Sequence, residues 1–170
     1  RTIKIAKKDK ILCARYRKGH FEGVIDIMDR FTKIIKPKKI FMGEKDFQQL
    51  YLVRNYLKKR YTCKIITCKT IRDNHNLALS SRNLHLKSKD LNTARHISKN
   101  LSNFKKDLIK IKNVQRLINL KKKEINNYKN IKVEYLEIRN KHTLKKSLNI
   151  KNSKIFIAYK IKDIRLIDNF

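Results

Sequence analysis

Phe41-Met42-Gly43-Glu44-Lys45-Asp46-Phe47-Gln48-Gln49-Leu50 is the stretch on which the fold turns. Ile40, Phe41 and Met42, following Pro37, make an apolar run of strand length, and Gly43 breaks it. Beyond the break, Phe47, Leu50, Val53 and Leu57, with Tyr51 beside them, recur at helical spacing. A strand, a glycine and a helix N-terminus in that order form an anion-binding geometry. The glycine admits a phosphate close to the backbone, free N–H groups point outward, and the helix dipole favours negative charge. Lys45 adds a full positive charge there. The same residues also read as ordinary turn chemistry, because glycine is common in strand-to-helix loops.

A second stretch, Leu79-Ser80-Ser81-Arg82-Asn83, offers two hydroxyls and a planar guanidinium suited to phosphate oxygens. A third, Arg17-Lys18-Gly19-His20-Phe21-Glu22-Gly23-Val24, lies upstream. In order, spacing and wording the three resemble one family, pantothenate synthetase (pantoate–β-alanine ligase). The resemblance continues through Tyr135-Leu136-Glu137-Ile138-Arg139 and Arg165-Leu166-Ile167-Asp168-Asn169. It is weakest between about residues 95 and 132.

The resemblance implies an AMP-forming ligase of pantothenate biosynthesis, on the coenzyme A pathway. ATP and pantoate form a pantoyl-adenylate, and the amine of β-alanine then displaces AMP; Mg2+ accompanies the nucleotide. By position, Gly43, Glu44, Lys45 and Asp46 line ATP, with Lys45 on phosphate oxygens and Asp46 accepting from a ribose hydroxyl. Gln49 corresponds to the pantoate-holding glutamine, Ile71 to a residue whose backbone meets adenine, and Leu79, Ser80, Ser81 and Arg82 to the second phosphate-binding stretch. Lys45 and Arg82 are the expected catalytic cations. No protein-held metal site is expected, and the family implies a homodimer. Rival readings stand beside these roles. Lys45 reads also as a solvated first-turn lysine, Asp46 as a helix N-cap, Ser80 as a turn cap, His20 as structural, and Gln48 and Gln49 as exposed helix residues.

Two departures from the family pattern matter. His75-Asn76 stands where the family has Asp-Gly; asparagine tolerates a left-handed backbone, which would keep the turn. The family's ATP-contacting His-x-Gly-His motif and the glutamine shared by pantoate and β-alanine are absent from these 170 residues. The chain opens on Arg1 and reads as a piece of something longer, expected to be catalytically silent and poorly folded by itself.

Composition points elsewhere at first. The formal net charge is +31, with 35% charged and 41% hydrophobic residues. Such a surplus is the footprint of a basic nucleic-acid-binding protein, the alternative function. The lysines, however, are spread along the whole chain with abundant isoleucine and asparagine, the residues AT-rich codons supply, and no RNA motif accompanies them. Nucleic acid is therefore not expected as a partner. A nucleotidyltransferase for another acid would share the nucleotide site, but Gln49 and the long match argue against it. Glycine is scarce: about a dozen would be average for this length, and the 3 present all fall inside the matched motifs. The 3 cysteines form no Cys-x-x-Cys pair, the 5 histidines are scattered, and no apolar run spans a membrane. A reducing cytoplasm fits this pattern.

The expected fold class is α/β. An incomplete Rossmann-like nucleotide-binding domain with a parallel βαβ unit spans residues 1–78, followed by a small α+β domain with an antiparallel sheet over 79–170. Residues 1–20, from Thr2 and Ile3 to Leu12 and Cys13, read as an extended arm. Val24, Ile27, Met28, Phe31, Ile34 and Ile35 define the buried face of a helix that Lys36-Pro37 ends. Strands at 40–42 and 63–67 flank a helix at about 46–59. Two parallel strands make no stable sheet alone, because such sheets need both faces covered. Ser88 is expected to cap a helix carrying Leu91, Ala94, Ile97 and Leu101. A helix over 114–128 and strands at 132–139, 154–160 and 164–168 complete the second domain.

Overall fold

The computed structural model describes residues 3–108 and 113–170; Thr2 lies outside them. The chain divides into two compact units, residues 1–70 and 71–170.

In the first unit, β1 (Lys39–Gly43) and β2 (Lys64–Cys68) pair in parallel, Ile40 opposite Ile65 and Gly43 opposite Cys68. Helix α3 (Phe47–Leu57) connects them, so the unit is the βαβ crossover that the 40–57 pattern predicts. Leu50, Leu52, Val53 and Leu57 are buried on α3, whereas no residue of β1 or β2 is.

Two expectations are corrected here. Residues 3–20 are not an extended arm. A 3-10 turn (Lys7–Asp9) leads to a one-turn helix, α1 (Cys13–Tyr16), and Leu12, Cys13 and Ala14 are buried. Short apolar patches between lysines look extended by sequence, but burying Leu12 requires the chain to fold back. The helix α2 (His20–Ile35) forms as its periodicity predicts, yet its apolar stripe is not the buried side. Phe21, Ile25 and Thr32 face inward, while Ile27, Phe31, Ile34 and Ile35 are 54–76% exposed. Periodicity reports that a face is apolar; it does not supply the surface that covers it.

The glycine shortage leaves a mark on the backbone. Gly19, before α2, takes φ 75. Elsewhere positive φ falls on residues with a Cβ: Leu12, Lys36, Asn76, Asn130, Leu144 and Lys162. Lys36 ends α2 in the left-handed conformation that glycine usually supplies.

The second unit is an antiparallel sheet β3-β4-β5 (Ile131–Asn140, Ser153–Ile161, Ile164–Asn169) covered by α4 (Ser88–Leu108) and α5 (Val114–Asn126). Ala94, Ile97, Leu101 and Leu108 of α4, with Ile118 and Ile125 of α5, share one core with Val133, Ile155, Ile157 and Tyr159. Lys162 and Asp163 turn β4 into β5, whereas β3 reaches β4 through residues 141–152, longer than a hairpin. A bulge between Val133 and Tyr135 interrupts the β3–β4 register at Glu134, whose carboxylate meets Arg165 at 2.7 Å. Across the bulge the core-facing positions pass from Val133 to Leu136 and Ile138.

Candidate nucleotide site

β1 delivers the first cluster. It ends at Gly43, and Glu44–Asp46 form one 3-10 turn before α3 begins at Phe47. Gly43 has φ -67 and ψ 135, ordinary extended backbone, so this position does not need glycine for its dihedrals. What glycine leaves is room: a Cβ there would meet nothing within 4 Å. Glu44 and Lys45 are half-buried and engaged with neighbours, whereas Asp46 is exposed. Asp46 occupies the N-cap position of α3, but its side chain makes no capping hydrogen bond. Of its two readings, the capping one is not realised, and the carboxylate stays available.

Gln49 is half-buried, and Gln48 is only 5% exposed; exposure of both is therefore corrected. The Gln48 carboxamide donates through Nε2 to the carbonyls of Asp9 (3.1 Å) and Ile11 (2.8 Å). His20 opens α2 with its ring tilted against Phe21 at 5.0 Å.

The remaining candidates belong to the second unit. Residues 71–79 form a small hairpin, with Arg72 bridged to Ala78 and the Leu79 N–H donating to the Ile71 carbonyl at 2.9 Å. Asn76 stands at its turn with φ 71, so asparagine in place of the family's glycine does keep a left-handed corner. Asp73 builds the turn from inside. Its Oδ1 accepts from the His75 and Leu77 N–H groups, both at 2.9 Å, and its Oδ2 accepts from Arg95 Nε at 2.8 Å. Burial pushes the Asp73 carboxyl upward, but Arg95 and the two backbone donors outweigh it and hold the group below its ordinary 3.8.

Leu79 is exposed, and Ser80 starts the 3-10 turn Ser81–His85 with its Oγ accepting from the Arg82 N–H at 3.3 Å. The capping role of Ser80 is thus realised. Ser81 and Arg82 are exposed; Arg82 Nη1 donates to the Arg165 carbonyl at 3.2 Å, and Arg165 is itself held by Glu134. Ile71, 68% exposed, sits at the base of the hairpin. The structure thus groups 43–46 with Gln49 in one unit, and Ile71 with 79–82 in the other.

Three residues that hold these segments were not among the sequence candidates. Arg72 donates to both carboxylate oxygens of Asp168, to the Asn76 carbonyl and to the Asn169 carbonyl. Glu134 and Arg165 stand behind Arg82. Arg165 and Asp168, the partner of Arg72, lie inside the Arg165–Asn169 resemblance, which names residues without naming partners; Arg72 and Glu134 lie outside it.

Among the described residues no three His, Cys, Asp or Glu side chains gather as a metal site, and no helix is long and apolar enough to cross a membrane. Cys13, Cys63 and Cys68 form no disulfide among the described residues; Cys13 is buried and Cys68 exposed.

Comparison with known proteins accords with this architecture. The chain is 39% identical over 160 residues to a bifunctional pantoate ligase/cytidylate kinase of Prochlorococcus marinus, covering 93% of this chain and 31% of that protein. It is 38% identical to the pantothenate synthetase of Azobacteroides pseudotrichonymphae, covering 98% of this chain and 61% of that protein. The crystal structure of pantothenate synthetase from Thermus thermophilus superposes with a TM-score of 0.88 at 23% identity, over 99% of this chain and 62% of that one, and shows a shared fold. A Francisella tularensis pantoate-beta-alanine ligase, crystallised with beta-gamma ATP and beta-alanine, gives a TM-score of 0.78 at 31% identity, over 99% of this chain and 57% of that one. The chain therefore spans from 31% to 62% of the length of these relatives. A family model described as pantoate-beta-alanine ligase matches residues 1–170, and the chain belongs to that family.

Proposed function

We propose that these residues supply part of the nucleotide site of an ATP-dependent ligase that joins pantoate to β-alanine through a pantoyl-adenylate. The observation that carries this reading is the turn after β1. It combines an open backbone at Gly43, a lysine at the start of a helix, and an Asp46 carboxylate not spent on capping.

In this reading Lys45 holds phosphate oxygens, and Asp46 accepts a ribose hydroxyl. Gln49 binds pantoate. By the same resemblance the backbone at Ile71 meets adenine, and Leu79, Ser80, Ser81 and Arg82 form a phosphate-binding stretch. Attack of the pantoate carboxylate on the α-phosphorus forms a C–O–P bond and breaks the bond to pyrophosphate. The amine of β-alanine then attacks the acyl carbon, and AMP leaves. Negative charge builds on the transferring phosphoryl group in the first step. Cations already fixed in place stabilise that charge without reorganising at the moment of reaction. Mg2+ carried on the ATP phosphates would neutralise part of their charge.

The 170 residues alone are expected to carry out no turnover. Their parallel sheet has two strands with no buried residue, and the α2 stripe lies open. A homodimer is the family expectation, and a cytoplasmic setting suits cysteines that form no disulfide. The test is pyrophosphate release from ATP by the full protein. Release that requires pantoate, followed by AMP release that requires β-alanine, supports the reading. ATP turnover indifferent to pantoate contradicts it.

A further inference from the structure

Gln48 is the most deeply buried polar residue beside the proposed nucleotide turn, and its environment is unusual in two independent ways. First, its Nε2 group donates to two carbonyls of one distant segment, Asp9 at 3.1 Å and Ile11 at 2.8 Å, while its Oε1 is buried with no partner among the described residues. A carboxamide with one end orphaned is costly to bury, and a methionine would fill the space without that cost. The two N–H donors are therefore what this position gains from glutamine. Second, the residue following Ile11 is Leu12, buried to 1% exposure with φ 48 and ψ -126. A side chain with a Cβ rarely adopts that backbone, which persists only where the surroundings over-determine it. The Gln48 bonds grip the chain immediately before the strained residue, and α1 follows it.

We propose that Gln48 is a positioning residue, clamping the Asp9–Leu12 segment to the first turn of α3 and so fixing the Glu44–Asp46 turn for nucleotide. Lys45 and Asp46 precede Gln48 by three and two residues, and Gln49 follows it. Movement at Gln48 therefore shifts the groups assigned to phosphate, ribose and pantoate together. The positioning role rests on the proposed nucleotide reading; the clamp itself does not.

The test uses the full protein and two variants. Gln48→Met keeps the volume and removes both donors. Gln48→Glu keeps the shape but turns an oxygen toward two carbonyls, and regains one donor when protonated. Backbone amide exchange over residues 9–15, measured without nucleotide, is expected to quicken at least tenfold in Gln48→Met, with amides of β3–β5 unchanged. The KM for ATP is expected to rise about tenfold with kcat within threefold of wild type. In Gln48→Glu the KM is expected to rise further at pH 8 and to recover as pH falls, beyond any change in wild type. Unchanged exchange over 9–15 overturns the clamp. Faster exchange with an unchanged KM for ATP overturns the positioning role. A wild-type protein without pantoate-dependent ATP turnover overturns the nucleotide reading, and the positioning role with it, while the exchange measurement still decides the clamp.

Discussion

Arg72 and Asp168, 96 positions apart, form a two-pronged ion pair, Nη1 to Oδ2 at 2.7 Å and Nη2 to Oδ1 at 2.8 Å. The pair fastens the 71–79 hairpin to the end of β5, and with it the start of the Ser80–Arg82 stretch. Asp168 is buried, so removing its partner leaves an uncompensated charge. Arg72→Met is expected to destabilise the second unit by about 3 kcal/mol, read as a lower urea midpoint. Arg72→Met with Asp168→Leu is expected to recover part of that loss, because it removes the orphaned carboxylate. A single variant as stable as wild type would contradict this account.

Asp73 gives the hairpin an acid limit. Its folded-state carboxyl titrates below the ordinary 3.8, so the unfolded chain binds a proton first as pH falls. The stabilisation is fully present above 3.8 and is lost as pH drops through the folded value. Asp73→Asn is expected to lower stability at pH 7 and to flatten its decline below pH 4. Denaturation midpoints from pH 2 to 7 measure both effects.

The open stripe on α2 sets a further expectation. Exposed apolar residues on one helix face mark a surface that another surface covers. The 170-residue chain is expected to bind an apolar reporter dye through Ile27, Phe31, Ile34 and Ile35. Phe31→Lys with Ile34→Lys is expected to halve the dye signal or better, with the helical circular dichroism unchanged. Equal dye binding by the two chains would show that the stripe is not the surface responsible.

Lys45 is the cation that the proposed mechanism leans on most in the first unit. Removing a single group that meets developing charge costs on the order of a hundredfold in rate. Lys45→Met in the full protein is expected to lower kcat/KM for ATP by about that factor, with thermal stability within a few degrees of wild type. Steady-state pyrophosphate release measures it, and a loss below threefold would remove Lys45 from the catalytic set.

Much of this was legible before any coordinates. The 40–57 pattern gives the strand, turn and helix, because a short continuous apolar run gives way at Gly43 to apolar residues at helical spacing. Ala94, Ile97 and Leu101 likewise announce the buried face of α4. The failures have physical causes. Leu12 lies among lysines in a stretch with no periodicity, and the contact beside it, from Gln48 to the Ile11 carbonyl, comes from a residue 36 positions beyond Leu12. The α2 stripe has helical period but nothing to say what lies against it. Arg72 reads as one more basic residue among many until Asp168 is placed beside it. At Asp46 the sequence offers capping and ligand binding on equal terms, and only coordinates show the cap unmade.

The central proposal is that the turn at residues 43–46 holds the nucleotide. Amide hydrogen exchange of the full protein, titrated with a non-hydrolysable ATP analogue, tests it most directly. The account predicts saturable protection over residues 43–46. An unchanged exchange rate over that stretch at saturating analogue would contradict it.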